Sequence, residues 1–251
     1  PPFDETRPFK VTQPPNPTWK TQDGLLDDTP STQAWKAGAM QGWKSWDMDT
    51  TSPSVAYRML TSAIVPRPIA FISTLSPSGV PNLAPFRCVS HNPPMVSVSF
   101  SLSPRRPKDT RENILATKEF VVNIISEPFV EAANSTSVEA PEDVDEWTVA
   151  GLTKEPSLRV RPPRVQESAV SLECELFSTQ DLYPEGASGA AASTTVVLGR
   201  IKYAHVHEAV LQPDGVQVDP AKLRAVSRLG GTTYARVSEA FDIKRPSWRD
   251  V

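Results

Sequence analysis

The 251-residue chain is short of the residues that usually anchor metal or nucleophile chemistry: two cysteines, three histidines and only 11 glycines. Cys88 and Cys174 are far apart in sequence. They make neither a metal-ligand spacing nor a disulfide framework, which points to a reducing compartment, the cytoplasm. His205-x-His207 sets two imidazoles on one strand face without a third ligand, so no metal site is expected. His205 and His207 read as surface or interface residues, and Cys88, in an apolar strand, as packing. No GxxxxGK[ST] loop, no GxGxxG after a strand and no nucleophile elbow is present. No apolar run approaches the ~20 residues of a membrane span, and no signal peptide is visible. A formal net charge of −3 gives no basic stripe, so neither nucleic acid nor membrane is expected as a partner. The chain begins Pro1-Pro2 without methionine, which points to a natural N-terminus further upstream.

What the chain has is proline, 26 residues of it, favouring short strands and irregular connections over long helices. Residues 1–50 lack a sustained period and read as an extended arm. Trp19, Trp35, Trp43 and Trp46 lie in it. That much aromatic surface predicts an arm packed on its own domain or on a second subunit. A short helix is expected over 31–42, with Ser31 as cap and Gly42 as stop. The main domain is expected over 51–240, followed by a tail, 241–251. It opens with a helical turn around 52–62 and a strand over 69–75. A turn at 76–79 leads to a strand over 80–89 that contains Pro81 and Pro85. Those prolines cannot donate to a ladder, so this strand should be an edge, or bulged where something other than a strand approaches. Residues 95–100 alternate, with Val96, Val98 and Phe100 on one face and Ser97, Ser99 and Ser101 on the other. Asp109 and Glu112 look like a capping box opening a short helix to about Thr117. Strands follow over 119–125, 170–177 and 194–207, with helices near 143–150 and 222–229. Many short strands and few helices fit an antiparallel barrel better than alternating βαβ units.

Two segments are candidate sites. The loop 103–113 carries Arg105, Arg106, Lys108 and Thr110 at a helix start, where unpaired N–H groups and the helix dipole stabilise an anion. By itself the pattern fits a solvated basic turn at least as well. Residues Asn82, Leu83, Ala84, Pro85 and Phe86 form a proline-interrupted strand whose unpaired backbone groups could read the edge of a planar heterocycle. By itself it fits a protected sheet edge equally well.

In order along the chain, PRPIAFIST (66–74), GVPNLAPF (79–86), VSHNPPMVSVSF (89–100) and KDTRENI…EFVVNI (108–124) resemble the flavin reductase-like, FMN-binding split-barrel family. VDEWTVAGLT (144–153), PPRVQES…LECEL (162–176), VLGRIKYAHVHE (197–208) and SRLGGTTYAR (227–236) continue the resemblance. It implies a mainly β fold, a six-stranded antiparallel Greek-key split barrel with a few short peripheral helices, and a homodimer with FMN at or near the interface. Carried onto this chain, Lys108, Asp109 and Thr110 surround the FMN phosphate, helped by Arg105 or Arg106. Pro68, Ser73, Thr74 and Leu75 line the ring or ribityl chain, and Asn82, Leu83, Ala84, Pro85 and Phe86 meet the ring edge. Ser99 and Ser101 approach the ribityl or phosphate, and Arg228 completes the pocket. Arg87 stands where the family usually has a small polar residue. A cation there would favour a reduced, anionic flavin, attract an acidic substrate, or point away.

The resemblance further implies an FMN-dependent oxidoreductase in which NAD(P)H reduces the flavin. Electrons would pass on to free flavin, oxygen, ferric iron or a small organic acceptor. A flavin-dependent oxygenase or redox enzyme acting on one metabolite, and a non-catalytic FMN-binding electron carrier, are the alternatives.

Overall fold

A computed structural model describes the chain except residues 1, 5, 21–22, 27–28, 104–106, 139–143, 185–190, 244 and 246–251, together with the side chains of residues 87 and 89–91. The fold divides into two compact units, residues 1–63 with 237–251, and residues 64–236.

In the first unit, strand β1 (Lys10–Thr12) pairs in parallel with Glu239–Phe241. Helix α1 (Pro30–Ala39) is capped by Thr29, whose hydroxyl accepts from the Thr32 N–H at 3.1 Å. The expected Ser31 cap is therefore corrected: Pro30 occupies the first helical position, where its missing N–H costs nothing, and the cap falls one residue before it. Helix α2 (Pro53–Ala63) makes three turns rather than one. Trp35 and Trp43 are exposed.

The second unit is built on strands β2 (Ile69–Leu75), β3 (Pro81–His91), β4 (Met95–Ser101), β5 (Glu119–Ile124), β8 (Val170–Leu182) and β9 (Thr194–Val206). Short hairpin strands β6 (Lys154–Glu155) and β7 (Arg164–Val165) lie between β5 and β8. The six long strands close an antiparallel barrel in the order β2-β3-β4-β9-β8-β5, the expected Greek-key connectivity. Helix α3 (Asp109–Thr117) crosses from β4 to β5. It contributes Ile114 to the barrel interior, beside Ile72, Val98, Phe100, Phe120 and Val197. Val96, Val98 and Phe100 are buried as their alternation requires, with Ser97 and Ser99 half-buried and Ser101 exposed on the other face. Gly199 is forced by close packing: a Cβ there would collide with the Phe120 ring. Cys88 packs against this interior, and burial pushes its thiol up to about 11.

A second core lies on the outer face of β2, β3 and β5, beneath helices α4 (Val130–Ser135) and α5 (Glu146–Ala150). Phe71, Leu83, Phe129 and Trp147 meet there. The expected helix around 143–150 is shorter, because Asp145 caps it by accepting from the Trp147 N–H. The expected helical turn at 222–229 is corrected to helix α6 (Pro220–Leu223) followed by strand β10 (Val226–Arg228), which pairs with β11 (Tyr234–Arg236). Asp219 and Pro220 start that helix, and Arg224 ends it in the left-handed region. No helix among the described residues is long and apolar enough to cross a membrane.

Candidate functional site

Pairing of β3 explains where a site can open. Along its first half, Pro81 to Arg87, it pairs with β2. Pairing with β4 begins only at Arg87. Among the described residues, 81–86 thus form a local edge inside a closed barrel, where the missing N–H groups of Pro81 and Pro85 leave no gap in a ladder. Other elements come to this edge: the first turn of α3, the segment after α4 and the start of α5.

Between them lies a cavity of about 340 Å³. Asn82, Ala84, Pro85 and Phe86 line it from β3, and Ser103, Pro107, Lys108, Asp109 and Thr110 from the approach to α3. Thr136, Ser137, Val138 and Glu146 close the remaining side. Its size is in the range of small-molecule sites. Phe86 is held by Phe100, ring centroids 4.5 Å apart. An adjoining cavity of about 400 Å³ shares Asn82, Pro107, Asp109 and Glu146 with the first and adds Ser76, Glu112 and Asn113.

A buried polar relay joins the walls. Asn113 Nδ2 donates to Thr74 Oγ1 at 3.0 Å, and Thr74 Oγ1 donates to Asn82 Oδ1 at 3.5 Å. Thr110 Oγ1 donates to the same Oδ1 at 2.6 Å, and Asn82 Nδ2 donates to Glu146 Oε1 at 3.2 Å. Glu146 lies 64 residues from Asn82 in sequence, and no local pattern marked it. Burial pushes its carboxyl above the ordinary carboxylate range, and the charges of Asp109 and Asp145 push the same way. N–H groups of Glu146 itself and of Leu83 partly offset this.

The expected capping box does not form. Lys108 is the N-cap of α3 and makes no side-chain cap bond, Asp109 is already the first helical residue, and Glu112 turns to Arg111 at 2.5 Å. Among the described residues, the start of α3 thus faces the cavity with no cap bond from its N-cap side chain.

The structure brings Asn82, Ala84, Pro85, Phe86, Lys108, Asp109 and Thr110 together, as expected for one site. Other expected residues lie elsewhere. Ser73 is fully buried and donates to the Pro163 carbonyl at 2.5 Å, and Leu83 is in the second core. Thr74 is buried behind Asn82. Pro68, Leu75, Ser99 and Ser101 line neither cavity. Arg228 sits on β10, its guanidinium 4.4 Å over the Tyr234 ring. Arg105, Arg106 and the Arg87 side chain lie outside the described residues.

His205 is a further correction. It is not a free surface residue: its Nε2 lies 2.6 Å from Glu173 Oε1. Glu173 is fully buried and also accepts from the N–H groups of Leu158, Arg159 and Val160.

The flavin reductase like domain profile matches residues 61–219. An uncharacterised protein of Halalkalibacterium halodurans is 37% identical over 203 residues, covering 79% of this chain and 95% of its own. Nitrilotriacetate monooxygenase component B from Bacillus cereus is 31% identical with a TM-score of 0.74, covering 80% of this chain and 99% of that one. The 2-nitrobenzoate 2-nitroreductase of Pseudomonas fluorescens, at 22% identity, shares the fold, with a TM-score of 0.69 over 82% of this chain and 98% of its own. With the family's profile spanning most of the barrel unit, the chain belongs to the flavin reductase-like domain family.

Proposed function

We propose that the protein is an FMN-dependent oxidoreductase that takes electrons from NAD(P)H and delivers them to a separate acceptor. The observation that carries this reading is the 340 Å³ cavity between the start of α3 and the half of β3 that pairs with β2 alone among the described residues, in a chain of this family. The donor set fits FMN. Lys108 and the first-turn N–H groups of α3 suit a phosphate, and Pro85 with Phe86 offers an apolar wall to a flat ring. FMN, when bound, would supply hydride acceptance and electron release, which explains why no acid–base pair or nucleophile stands out among the lining residues. The chain's own part is to hold the phosphate, to fix the ring against β3 and to keep water from one of its faces. The likeness to component B of a monooxygenase supports an acceptor outside this chain, with oxygen chemistry downstream. A homodimer and a cytoplasmic setting complete the proposal. That neither Cys88 nor Cys174 is in a disulfide agrees with the latter.

The purified protein should carry, or take up, FMN with a visible flavin spectrum, and anaerobic NADH or NADPH should bleach it. Flavin that binds but stays oxidised with both nucleotides would leave an electron carrier. Replacing Lys108 by alanine should weaken FMN binding by about 1–3 kcal/mol, the cost of losing a charged hydrogen-bond partner. Fluorescence titration with FMN reads this directly, and an unchanged dissociation constant would move the phosphate away from α3.

A further inference from the structure

The barrel unit holds a further, open cavity of about 620 Å³ that shares no lining residue with the two beside α3. It lies over the paired strands β8 and β9, next to β7. Leu172, Cys174 and Ile201 pack into the barrel interior there, which turns Glu173, Tyr203 and His205 to the outer face. Tyr203, His205 and His207 follow one another at every second residue and all line this cavity.

Partners fix the two imidazoles in opposite senses. Glu173 accepts from the N–H groups of Leu158, Arg159 and Val160, which can only donate, so it meets His205 as a carboxylate. The hydrogen of their 2.6 Å contact is therefore on His205 Nε2, and Nδ1 of the neutral ring is left as an acceptor. His207 is the reverse. Its Nδ1 accepts from the Ala209 N–H at 3.3 Å, so Nε2 carries the hydrogen and donates. Among the described residues, neither His205 Nδ1 nor His207 Nε2 has a partner. An acceptor and a donor on one face match a hydroxyl group, which gives one hydrogen bond and takes another. No group of three or more metal-ligating side chains forms among the described residues, so the pair is not part of a metal site.

Arg164 brings a charge to the same cavity. Its side chain is 19% exposed, its Nε donates to the Pro156 carbonyl at 3.1 Å, and its Nη2 stands 3.6 Å from Glu155 Oε1, too far for a direct hydrogen bond. The outer edge of the guanidinium is thus open to a planar anion, which it can grip through two parallel N–H groups. Tyr203 supplies a flat wall, its ring centroid 4.9 Å from that of His205.

We propose that this cavity is a second small-molecule site, for an aromatic carboxylate that carries a hydroxyl group. The carboxylate pairs with Arg164, the ring lies against Tyr203, and the hydroxyl donates to His205 Nδ1 while accepting from His207 Nε2. Glu173, buried beneath, keeps the His205 ring in the accepting tautomer. The volume is in the range of small-molecule sites and ample for one ring. The site stands apart from the FMN reading and does not depend on it.

The test is titration calorimetry of FMN-saturated and flavin-free protein with 4-hydroxybenzoate, with benzoate, which lacks the hydroxyl, and with 4-hydroxybenzamide, which lacks the charge. 4-Hydroxybenzoate should bind both forms of the protein equally, and each of the other two about tenfold more weakly, near the net worth of one hydrogen bond. H205Q, whose amide can still donate to Glu173, should lose the preference for 4-hydroxybenzoate over benzoate. R164M should lose the preference for acid over amide, and Y203L should weaken all three ligands. FMN affinity should be the same in every variant. No binding of 4-hydroxybenzoate, an equal affinity for benzoate, or preferences that survive in H205Q and R164M would overturn the proposal. Binding to the flavin-free protein alone would place the ring in the flavin cavity and overturn it too. Failure to take up FMN would overturn the flavin reading instead, and the flavin-free titrations would still decide this site. Should H205Q or R164M not fold, the order of the three ligands on the wild-type protein, and their common loss in Y203L, decide.

Discussion

Replacing Glu173 by alanine is expected to cost about 3–5 kcal/mol of stability, because it removes a carboxylate that accepts several hydrogen bonds at about 1.5–3 kcal/mol each. Its carboxylate is fully buried between β8 and the loop that precedes β7, and four donors converge on it. Leu158 and His205 reach Oε1 at 2.8 and 2.6 Å, and Arg159 and Val160 reach Oε2 at 2.5 and 3.1 Å. Alanine would take the acceptor from three backbone N–H groups, and that of the buried Val160 would cost more unsatisfied than it contributes when paired. Glutamine should be nearly as damaging, because its NH2 would turn a donor toward donors. The damage should spread, since the same loop leads to Pro163, which accepts from Ser73, and to Val165, buried in the second core. Burial pushes the Glu173 carboxyl up, but the bonds from His205 and the three backbone groups outweigh it, and the net displacement is downward. A folded carboxyl below its unfolded value of about 4.3 stabilises the fold fully above that value. That contribution is lost as pH falls through the lower folded value. The gap between wild type and the alanine variant in urea unfolding should therefore be full at neutral pH and narrow in acid. A loss below about 1 kcal/mol at neutral pH, the size of an ordinary hydrogen bond, would refute the account.

His205 and Glu173 show what a linear reading misses. Thirty-two residues separate them, and only the pairing of β8 with β9 brings them together. Period-2 alternation made Val96, Val98 and Phe100 legible as a buried face, because hydrophobicity itself marked the inside. It could not do so for Ser73 and Thr74, two small polar neighbours that point to opposite faces of β2 and are both buried. Pro81 and Pro85 were readable for a stronger reason: a residue without an N–H cannot sit in a paired ladder on both sides, and β3 is unpaired there on one side. The phosphate-like character of the loop at Lys108 and Thr110 was visible in charge and helix-start chemistry. The cap was misplaced because Thr110 found a buried partner in Asn82 and Glu112 one in Arg111, contacts that compete with a capping box. Glu146 was invisible because its significance is its burial and its neighbours, and its own helix is only five residues long.

Asn82 is where these long-range contacts meet, and its replacement by alanine should be the most informative change at the site. The residue is 8% exposed and ties β3 to the first turn of α3 through Thr110 and to α5 through Glu146. Alanine would leave the Thr110 hydroxyl and the Glu146 carboxyl short of a partner in a buried setting. At about 1–3 kcal/mol for each of the two unsatisfied groups, the fold should lose roughly 2–6 kcal/mol. The loss should depend on pH with a definite sign. A protonated carboxyl is cheaper to leave unpartnered than a carboxylate, so the variant should suffer least in acid and increasingly as pH rises through the raised range of Glu146. Both gaps narrow in acid, but in different windows, since the Glu173 carboxyl is displaced downward and the Glu146 carboxyl upward, so the two effects separate in a single series of urea titrations. FMN affinity should fall as well, because Thr110 would no longer be anchored and the start of α3 could drift from β3. A pH-independent loss would mean that Glu146 is already satisfied without Asn82. No loss at all would mean that the relay from Asn113 to Glu146 does not hold the two walls of the cavity together.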